Sequence, residues 1–307
     1  MSGEKSEQLE QRHLSDADEV CACCGIAEVD DIKLKDCDGG CDLVKYCSDN
    51  CEENHREQHE DDCKRRAELH DKDLFPQLDS SYLGECPICC LPLSLHPSKS
   101  TLMTCCCKYI CNGCHFTNTK RVIEGGLERR CVYCREPAPE SKEEHHKRIM
   151  ERIKKNDTVA MTAMGKTYLG EGDYGKSFEY FTKAAELGDV AAQGCLGLMY
   201  RNGNSVVEKD EEKAVYHFEQ AAIGGNPTAR AFLATHEMEN GRFERAARHL
   251  IISANLGCDV SLRWVKDLFV QGIVSKEEYA DALRGYQAAM DATKSAEREA
   301  AEAMTKF

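Results

Sequence analysis

The sequence that decides the fold reads Cys86-Pro-Ile-Cys89, Cys105-Cys106-Cys107, Cys111-Asn-Gly-Cys114 and Cys131-Val-Tyr-Cys134, all within 49 residues. Two thiolates separated by two residues can turn both sulfurs toward one ion. Four such soft ligands satisfy tetrahedral Zn²⁺ at Zn–S distances of about 2.3 Å. This spacing therefore predicts two closed sites that hold structural zinc.

The distribution of cysteines favours metal binding over disulfides. Of the 20 cysteines in this chain of 307 residues, 18 lie between Cys21 and Cys134. The first residues are polar and lack the apolar core of a signal peptide, and no apolar run is long enough to span a membrane. We therefore expect an intracellular protein, cytoplasmic or nuclear, in which clustered thiols stay reduced and bind metal.

The charge of the chain argues against nucleic acid as a partner. The formal net charge is −14, and the short basic runs, such as 64–66 and 154–155, lie among acidic residues. Nucleic-acid-binding proteins usually carry a concentrated basic patch. We expect no nucleic-acid or membrane partner and interpret the basic runs as solvated helix faces.

The second half of the chain repeats itself. The segment that begins at Phe181 returns at Phe218 and, more weakly, at Leu250, which gives steps of 37 and 32 residues. A longer loop at 202–212 accounts for the difference. A repeat of this length is typical of a solenoid of antiparallel helix pairs. A capping box, Ser275 with Glu278, predicts a late helix that closes the stack.

These repeats resemble Sel-like repeats, relatives of the tetratricopeptide family. The resemblance rests on small and aromatic residues at matching places in two copies: Gly165, Tyr168, Gly172, Ala184 and Gly188 in one, and Gly197, Tyr200, Gly203, Ala221 and Gly225 in the other. It implies a scaffold that binds protein partners. The residues themselves are expected to serve packing.

The first cysteine block resembles the MYND zinc finger. Its marks are Cys-x-x-Cys-Gly, Tyr-Cys-Ser-x-x-Cys and a final His-x-x-x-Cys. The resemblance implies two interleaved zinc ions: one held by Cys21, Cys24, Cys47 and Cys51, and the other by Cys37, Cys41, His59 and Cys63. Metal binding would then be part of the folding free energy of this finger.

The central block resembles a RING finger in the order of its cysteine pairs. The resemblance implies one zinc ion held by Cys86, Cys89, Cys111 and Cys114, and a second held by Cys131, Cys134, Cys105 and one further cysteine. The usual histidine is missing, so either Cys106 or Cys107 must supply the last ligand. Spacing favours Cys107, because adjacent side chains diverge, whereas RING variants with a Cys-Cys-x-Lys segment favour Cys106. The sequence leaves both open, and the total expected is four zinc ions.

The RING resemblance also implies a function. Such fingers often recruit a ubiquitin-conjugating enzyme and act as ubiquitin ligases without an active site of their own. Two residues match that use: Ile88 as an apolar contact with the conjugating enzyme, and Arg135 as a cation next to the last zinc ligand. The alternative is an adaptor without catalytic function, in which both fingers only brace the chain or bind protein.

Together these observations predict a mainly α protein, with two small zinc-stabilised modules followed by a helical repeat solenoid. The expected divisions are a disordered tail at 1–19, a MYND-like finger at 20–63, a helical linker at 64–85, a RING-like finger at 86–137, a charged helical linker at 138–156, Sel-like repeats with C-terminal capping helices at 157–287 and a frayed tail at 288–307.

Overall fold

The computed structural model describes residues 21–24, 34–36 and 45–304, apart from the side chains at positions 36, 62, 63, 66 and 67. The chain divides into two compact units, Met1–Asp73 and Leu74–Phe307. The expected tail at 1–19 lies outside the described residues. The predicted class, a mainly helical protein with a repeat solenoid, is confirmed.

The first unit contains a short hairpin and most of a long helix. Strands β1 (Lys35–Asp36) and β2 (Lys45–Tyr46) pair in antiparallel fashion and precede helix α1 (Asp49–Leu74). Lys35 forms ion pairs with Asp49 and Glu52 in the first turn of α1. These contacts join the hairpin to the start of the helix.

The linker expected at 64–85 is helical only in its first part, and the second unit begins with an irregular segment. Helix α1 ends at Leu74, and residues 75–85 contain no helix or strand. Pro76 explains the break, because a proline disfavours helical backbone at the residue before it. Leu74 is buried against Phe218 and Leu233 of the solenoid. This part of the chain is therefore packed against the repeats instead of linking two modules.

The RING-like region is a hairpin followed by a helix. Strands β3 (Ser100–Met103) and β4 (Lys108–Cys111) pair in antiparallel register, and helix α2 (Asn112–Glu124) follows. Irregular turns before β3 and after α2 carry the remaining cysteines. The hairpin and the helix bring cysteine pairs that are far apart in the sequence close to one another in space.

The charged stretch after the finger forms helix α3 (Lys142–Ile153), which begins at an N-cap, Ser141. Its Ile149 is buried with Cys107 of the finger and with Ala160 and Met164 of the solenoid. The segment was expected to be a linker at 138–156. The helix is present, but its apolar face joins the finger to the repeats.

The solenoid is a series of antiparallel helix pairs: α4 (Thr158–Glu171), α5 (Tyr174–Glu186), α6 (Val190–Asn202), α7 (Glu211–Ile223), α8 (Pro227–Glu239), α9 (Phe243–Asn255), α10 (Asp259–Val270) and α11 (Lys276–Ala292). Aspartate or asparagine caps begin several of them, as where Asp189 accepts from the Ala192 amide. Between helices, Gly172 and Gly188 have φ values of +81° and +83°, which suit glycine. The predicted capping box at Ser275 is confirmed at the start of α11.

Close helix approach explains two glycines of the repeat pattern. A Cβ atom on Gly165 would lie 2.6 Å from the ring of Phe181, and one on Gly197 would lie 2.6 Å from the ring of Phe218. Both rings are buried. The repeating Gly–Phe contact therefore fixes how the two helices meet in the pairs α4–α5 and α6–α7.

The expectation of a frayed tail at 288–307 is wrong for its described part. Helix α11 continues to Ala292, and helix α12 (Ala296–Met304) packs against α2 of the finger. Arg298 and Ala301 are buried there. A Cβ atom on Gly113 would lie 2.7 Å from the Arg298 backbone nitrogen, so the two helices are in close contact. Few large apolar side chains are needed at so short a distance.

Candidate metal centres

Three groups of four cysteines converge in the described residues. In each group the four sulfurs lie within 4.8 Å of one another, which is the geometry that could hold a metal ion. The groups are Cys21, Cys24, Cys47 and Cys51; Cys86, Cys89, Cys111 and Cys114; and Cys105, Cys106, Cys131 and Cys134.

The distances between sulfurs fit a tetrahedral ion better than disulfides. Four sulfurs about 2.3 Å from a central ion lie about 3.8 Å from each other at tetrahedral angles. The Sγ atoms of Cys89 and Cys111 are 3.8 Å apart, and those of Cys106 and Cys131 are 3.9 Å apart. A disulfide would need a separation of about 2.05 Å. The donor sets are therefore suited to soft-metal coordination.

The group around Cys86 joins the first turn of the finger to the start of α2. Cys86 and Cys89 lie on a turn closed by the Cys90 amide, which donates to the Cys86 carbonyl. Cys111 ends β4 and caps α2, where its sulfur accepts from the Cys114 amide. Burial raises the pKa of Cys86, but hydrogen bonds from the Cys111, Cys89 and Ile88 backbone outweigh it and lower the pKa to about 7.

The pKa values of two other members of this group, Cys111 and Cys114, are raised. Burial raises the pKa of Cys114, and hydrogen bonding and repulsion from Cys111 raise it further. A divalent cation would offset the effects that raise these pKa values, because a thiol that coordinates a metal is deprotonated outright. The surroundings of the four sulfurs are therefore compatible with bound zinc.

Arg298 of α12 reaches this group from the far end of the chain. Its guanidinium donates to the Pro92 carbonyl at 2.7 Å, to the Leu91 carbonyl at 3.1 Å and to the Cys89 sulfur at 3.5 Å. Its side chain is buried, so these are contacts in a partly desolvated setting. The cation adds positive charge beside four thiols. Sequence reasoning missed Arg298, whose only local signal is an isolated arginine in an alanine- and glutamate-rich stretch.

The group around Cys131 contains Cys106 and not Cys107. Cys106 lies with Cys105, Cys131 and Cys134. Cys107 has φ +51° and packs instead with Ile149, Ala160 and Met164. The structure thus places the adjacent thiols of Cys105 and Cys106 in one group, which spacing alone disfavours.

Burial dominates the electrostatics of this second group. Burial, together with repulsion from Cys131, raises the pKa of Cys106 to about 12. Burial and hydrogen bonding from Cys134 also raise the pKa of Cys105. As at the first group, the four thiols suit a site with a cation at its centre.

The group in the first unit forms around the hairpin and the start of α1. Cys21 lies beside β2, where the Ala22 amide donates to the Lys45 carbonyl. The Cys47 sulfur is 3.5 Å from that of Cys24 and 3.6 Å from that of Cys51. Burial raises the pKa of Cys21, but backbone hydrogen bonds at Cys24, Cys47 and Cys23 lower it to about 6.

The fourth predicted site lies largely outside the described residues. Cys37, Cys41 and the side chain of Cys63 are not described. His59 is buried, and its ring stacks on that of His55 at 5.8 Å. Nδ1 of His55 is 3.0 Å from the Tyr46 hydroxyl. Zinc at this fourth site, as at the other three, therefore stays a prediction.

The two residues predicted to contact a conjugating enzyme are both accessible. Ile88 lies between Cys86 and Cys89 and is 41% exposed. Arg135 is exposed and has φ +66° in the turn after Cys134. The Arg135 amide donates to the Cys131 carbonyl, just as the Cys90 amide donates to Cys86. A turn with the same backbone hydrogen bond therefore lies beside each of the two cysteine groups of the finger, and Ile88 and Arg135 belong to these two turns.

A further grouping, Glu211, His236 and Glu239, lies on the solenoid surface. His236 Nδ1 is 3.1 Å from Glu211, and Asn240 contacts the other ring nitrogen. Both glutamates are exposed. An ordinary surface ion pair accounts for this arrangement.

Within the described part of the chain, no helix combines the length and apolar character needed to cross a bilayer.

Comparison with known proteins bears on the solenoid. The model of the Sel1 repeat matches residues 158–189 and 191–226. Two Sel1 repeats lie in this part of the chain. They correspond to the helix pairs α4–α5 and α6–α7, and the weaker third copy predicted from the sequence corresponds to α8–α9.

Solved structures with some similarity include two helical repeat proteins. A Sel1 repeat protein from Oxalobacter formigenes is 29% identical, with a TM-score of 0.42 over 50% of this chain and 65% of that one. A protective antigen of uropathogenic Escherichia coli with an SLR fold is 18% identical, with a TM-score of 0.42 over 57% of this chain and 37% of that one. The match thus spans less than two thirds of either protein. No curated protein matches the sequence.

Proposed function

We propose that the protein is a zinc-dependent scaffold that recruits a ubiquitin-conjugating enzyme through its RING-like finger and holds a protein partner on its Sel1 repeats. The observation that carries the proposal is the convergence of eight finger cysteines into two tetrads, in each of which the sulfurs lie within 4.8 Å of one another. Closed four-thiol sites are structural and leave no open position for substrate. The finger is therefore proposed to act by presenting a surface.

Zinc would be held by the three described groups and by Cys37, Cys41, His59 and Cys63. Its role is to fix the turns that carry the exposed side chains. In the proposed reaction, the conjugating enzyme brings ubiquitin as a thioester, and the finger contributes orientation of that pair. Ile88 would provide an apolar contact, and Arg135 would provide a cation beside the carried ubiquitin.

The Sel1 repeats supply the partner-binding part of the proposal. Helical repeats of this kind commonly mediate protein–protein interactions, because stacked helices create an extended surface. Helix α3 packs between finger and repeats through Ile149. A partner on the repeats would therefore be held at a defined place relative to the conjugating enzyme.

The test is self-ubiquitination of the full chain with a panel of conjugating enzymes. We expect activity with at least one enzyme, and a loss of about tenfold or more in Ile88→Ala, since apolar anchors dominate small interfaces. Ile223→Ala is a matched control, because Ile223 is 40% exposed on the solenoid, close to the 41% of Ile88. Arg135→Ala should lower the rate as well, and Arg263→Ala, an exposed arginine of α10, should not.

Zinc content is measured on every preparation before the assay. If zinc-loaded protein shows no self-ubiquitination with any conjugating enzyme of the panel, the ligase proposal is overturned. The protein would then be an adaptor in which the fingers brace the chain or bind protein. Equal activity of Ile88→Ala and Ile223→Ala would overturn the assigned contact.

A further inference from the structure

The irregular segment that follows α1 lies in a groove on the solenoid. We call residues 74–82 the strap. Leu74 is 1% exposed and packs among buried residues of α7 and α8, including Phe218 and Leu233. Residues 75–82 belong to no helix or strand. The strap is thus held by side-chain contacts with the repeats.

Phe75 occupies the most specific part of the groove. Its ring centroid is 4.5 Å from that of His249, and the Arg248 guanidinium lies 3.7 Å from the Phe75 centroid. Arg245 lies over the same ring at 5.2 Å. His249 is fully buried beneath it. Cation–π contacts of this kind select an aromatic side chain at this position.

The far end of the strap is fixed by its backbone. The Tyr82 amide donates to the Gly225 carbonyl at 3.1 Å. Gly225 has φ +87°, and a Cβ atom there would lie 3.1 Å from Leu78 and 3.3 Å from the Tyr82 nitrogen. Between the two ends, Asn255 donates to the Gln77 side chain at 2.9 Å. The groove therefore contacts an irregular segment from end to end.

Arg230 shows that the strap fits this groove incompletely. Its side chain is fully buried, and Nη1 donates to the Leu74 carbonyl at 2.8 Å. Its Nε and Nη2 atoms are buried without a hydrogen-bond partner in the described residues. A buried guanidinium with unused donors is costly. A segment that offers Arg230 another acceptor would be held better than the strap.

We propose that this groove on α7, α8 and α9 is the docking site for an extended partner segment in which a leucine is followed by a phenylalanine, and that the strap is its intramolecular competitor. The inference rests on the proposed function, since it locates the partner site of the repeats. Attachment in the same chain gives the strap an effective concentration near millimolar, so a partner must compete with it. Binding would therefore be weak until the strap is loosened.

The probe is a fluorescein-labelled synthetic peptide of residues 73–83, and binding to the full chain is followed by fluorescence anisotropy. Phe75→Ala weakens the strap but leaves the groove unchanged. We expect this variant to bind the peptide about tenfold or more tightly than the wild-type chain. Leu187→Ala, which removes a side chain exposed elsewhere on the solenoid, should bind as the wild type does.

Two further variants test the groove itself. In the Phe75→Ala background, Arg230→Met should abolish the gain, and thermal melting checks that the variant folds. Arg248→Ala removes an exposed side chain, so it keeps the test valid if Arg230→Met does not fold, and it should also abolish the gain. A peptide with alanine in place of Phe75 should bind no form of the protein.

Absence of peptide binding to the folded Phe75→Ala chain would overturn the inference. So would a wild-type chain that exchanges straps to form dimers in analytical ultracentrifugation while the peptide fails to bind, since the occupant would then be a second copy. Self-ubiquitination of the same samples separates the two proposals. Activity without peptide binding overturns only the docking site, whereas binding without activity overturns only the ligase role.

Discussion

The finger and the solenoid of the second unit reach a folded state by different means. The buried cluster of the finger contains Cys86, Leu93, Ile110 and Cys111, so half of its members are cysteines. The cluster of the first two repeats is made of alanine, leucine, methionine, phenylalanine and valine side chains. Few apolar side chains stabilise the finger, so the proposed metal must do so, whereas the repeats stabilise themselves by close helix packing.

Because of this difference, we expect the finger and the repeats to unfold independently of each other. Removal of metal should unfold the finger and leave the repeats, and a packing defect should weaken the repeats and leave the metal. The contacts of α3 and α12 set the limits of this independence, because each helix touches both regions. The predictions that follow begin with the largest effect.

Chelation should have the largest effect. A structural zinc ion contributes about 10–16 kcal/mol to folding in zinc-finger peptides. We expect removal of metal to make residues 86–137 sensitive to protease, with rapid amide exchange there by mass spectrometry. Helices α4 to α9 should keep their protection. Equal loss of protection in both regions would contradict separate stabilisation.

Substitution of single cysteines should distinguish neighbours in the sequence. Cys106→Ala removes one of four converging sulfurs and should cost the chain one bound zinc ion. Cys107→Ala trims a side chain that packs on Ile149, and it should cost about 1 kcal/mol of stability without loss of metal. Metal analysis and thermal melting of both variants measure this. Zinc loss in Cys107→Ala with full content in Cys106→Ala would reverse the assignment.

Glycine substitutions should damage the solenoid alone. In Gly165→Ala, the new methyl group would meet the Phe181 ring at 2.6 Å. Overpacking of this kind costs about 1–3 kcal/mol, which chemical denaturation followed by circular dichroism should detect. Gly170→Ala is the control, because it lies in the same helix with no atom within 4 Å of its Cβ position. It should be neutral or stabilising, and zinc content should stay constant in both.

Arg298→Met should have the smallest effect and the most local one. The guanidinium bonds to the Pro92 and Leu91 carbonyls and to Cys89. Loss of these bonds should speed zinc release from the Cys86 group by about tenfold, equivalent to about 1.4 kcal/mol. A colorimetric chelator measures the release rate. Arg284→Met on the exposed face of α11 is the control, and equal rates in the two variants would contradict the role given to Arg298.

The solenoid could be predicted from the sequence because its determinants are local and periodic. Gly165 and Phe181 return one repeat later as Gly197 and Phe218, so the amino-acid sequence alone shows the pattern. Loop 202–212 explained the unequal steps, and α6 does end at Asn202 with α7 beginning at Glu211. Short-range caps such as Ser275 also follow from neighbouring residues alone.

The features that the sequence did not predict depend on contacts between residues far apart in the chain. Arg298 meets Cys89 across 209 positions, and Leu74 meets Arg230 across 156. Nothing near Arg298 or Leu74 in the sequence encodes such a partner. The sequence therefore predicts a frayed tail where α12 lies and a linker where the strap lies. The choice between Cys106 and Cys107 depends on where the turn between β3 and β4 directs each side chain, which residue spacing does not encode.

The central claim is that the cysteines between Cys21 and Cys134 hold zinc in closed sites with four ligands each. Its most direct test is zinc counting by inductively coupled plasma mass spectrometry on full-length protein purified without added metal, with X-ray absorption at the zinc edge on the same sample. The account predicts four ions per chain and Zn–S distances of about 2.3 Å. A ratio of two or fewer, or cysteines paired as disulfides, would contradict it.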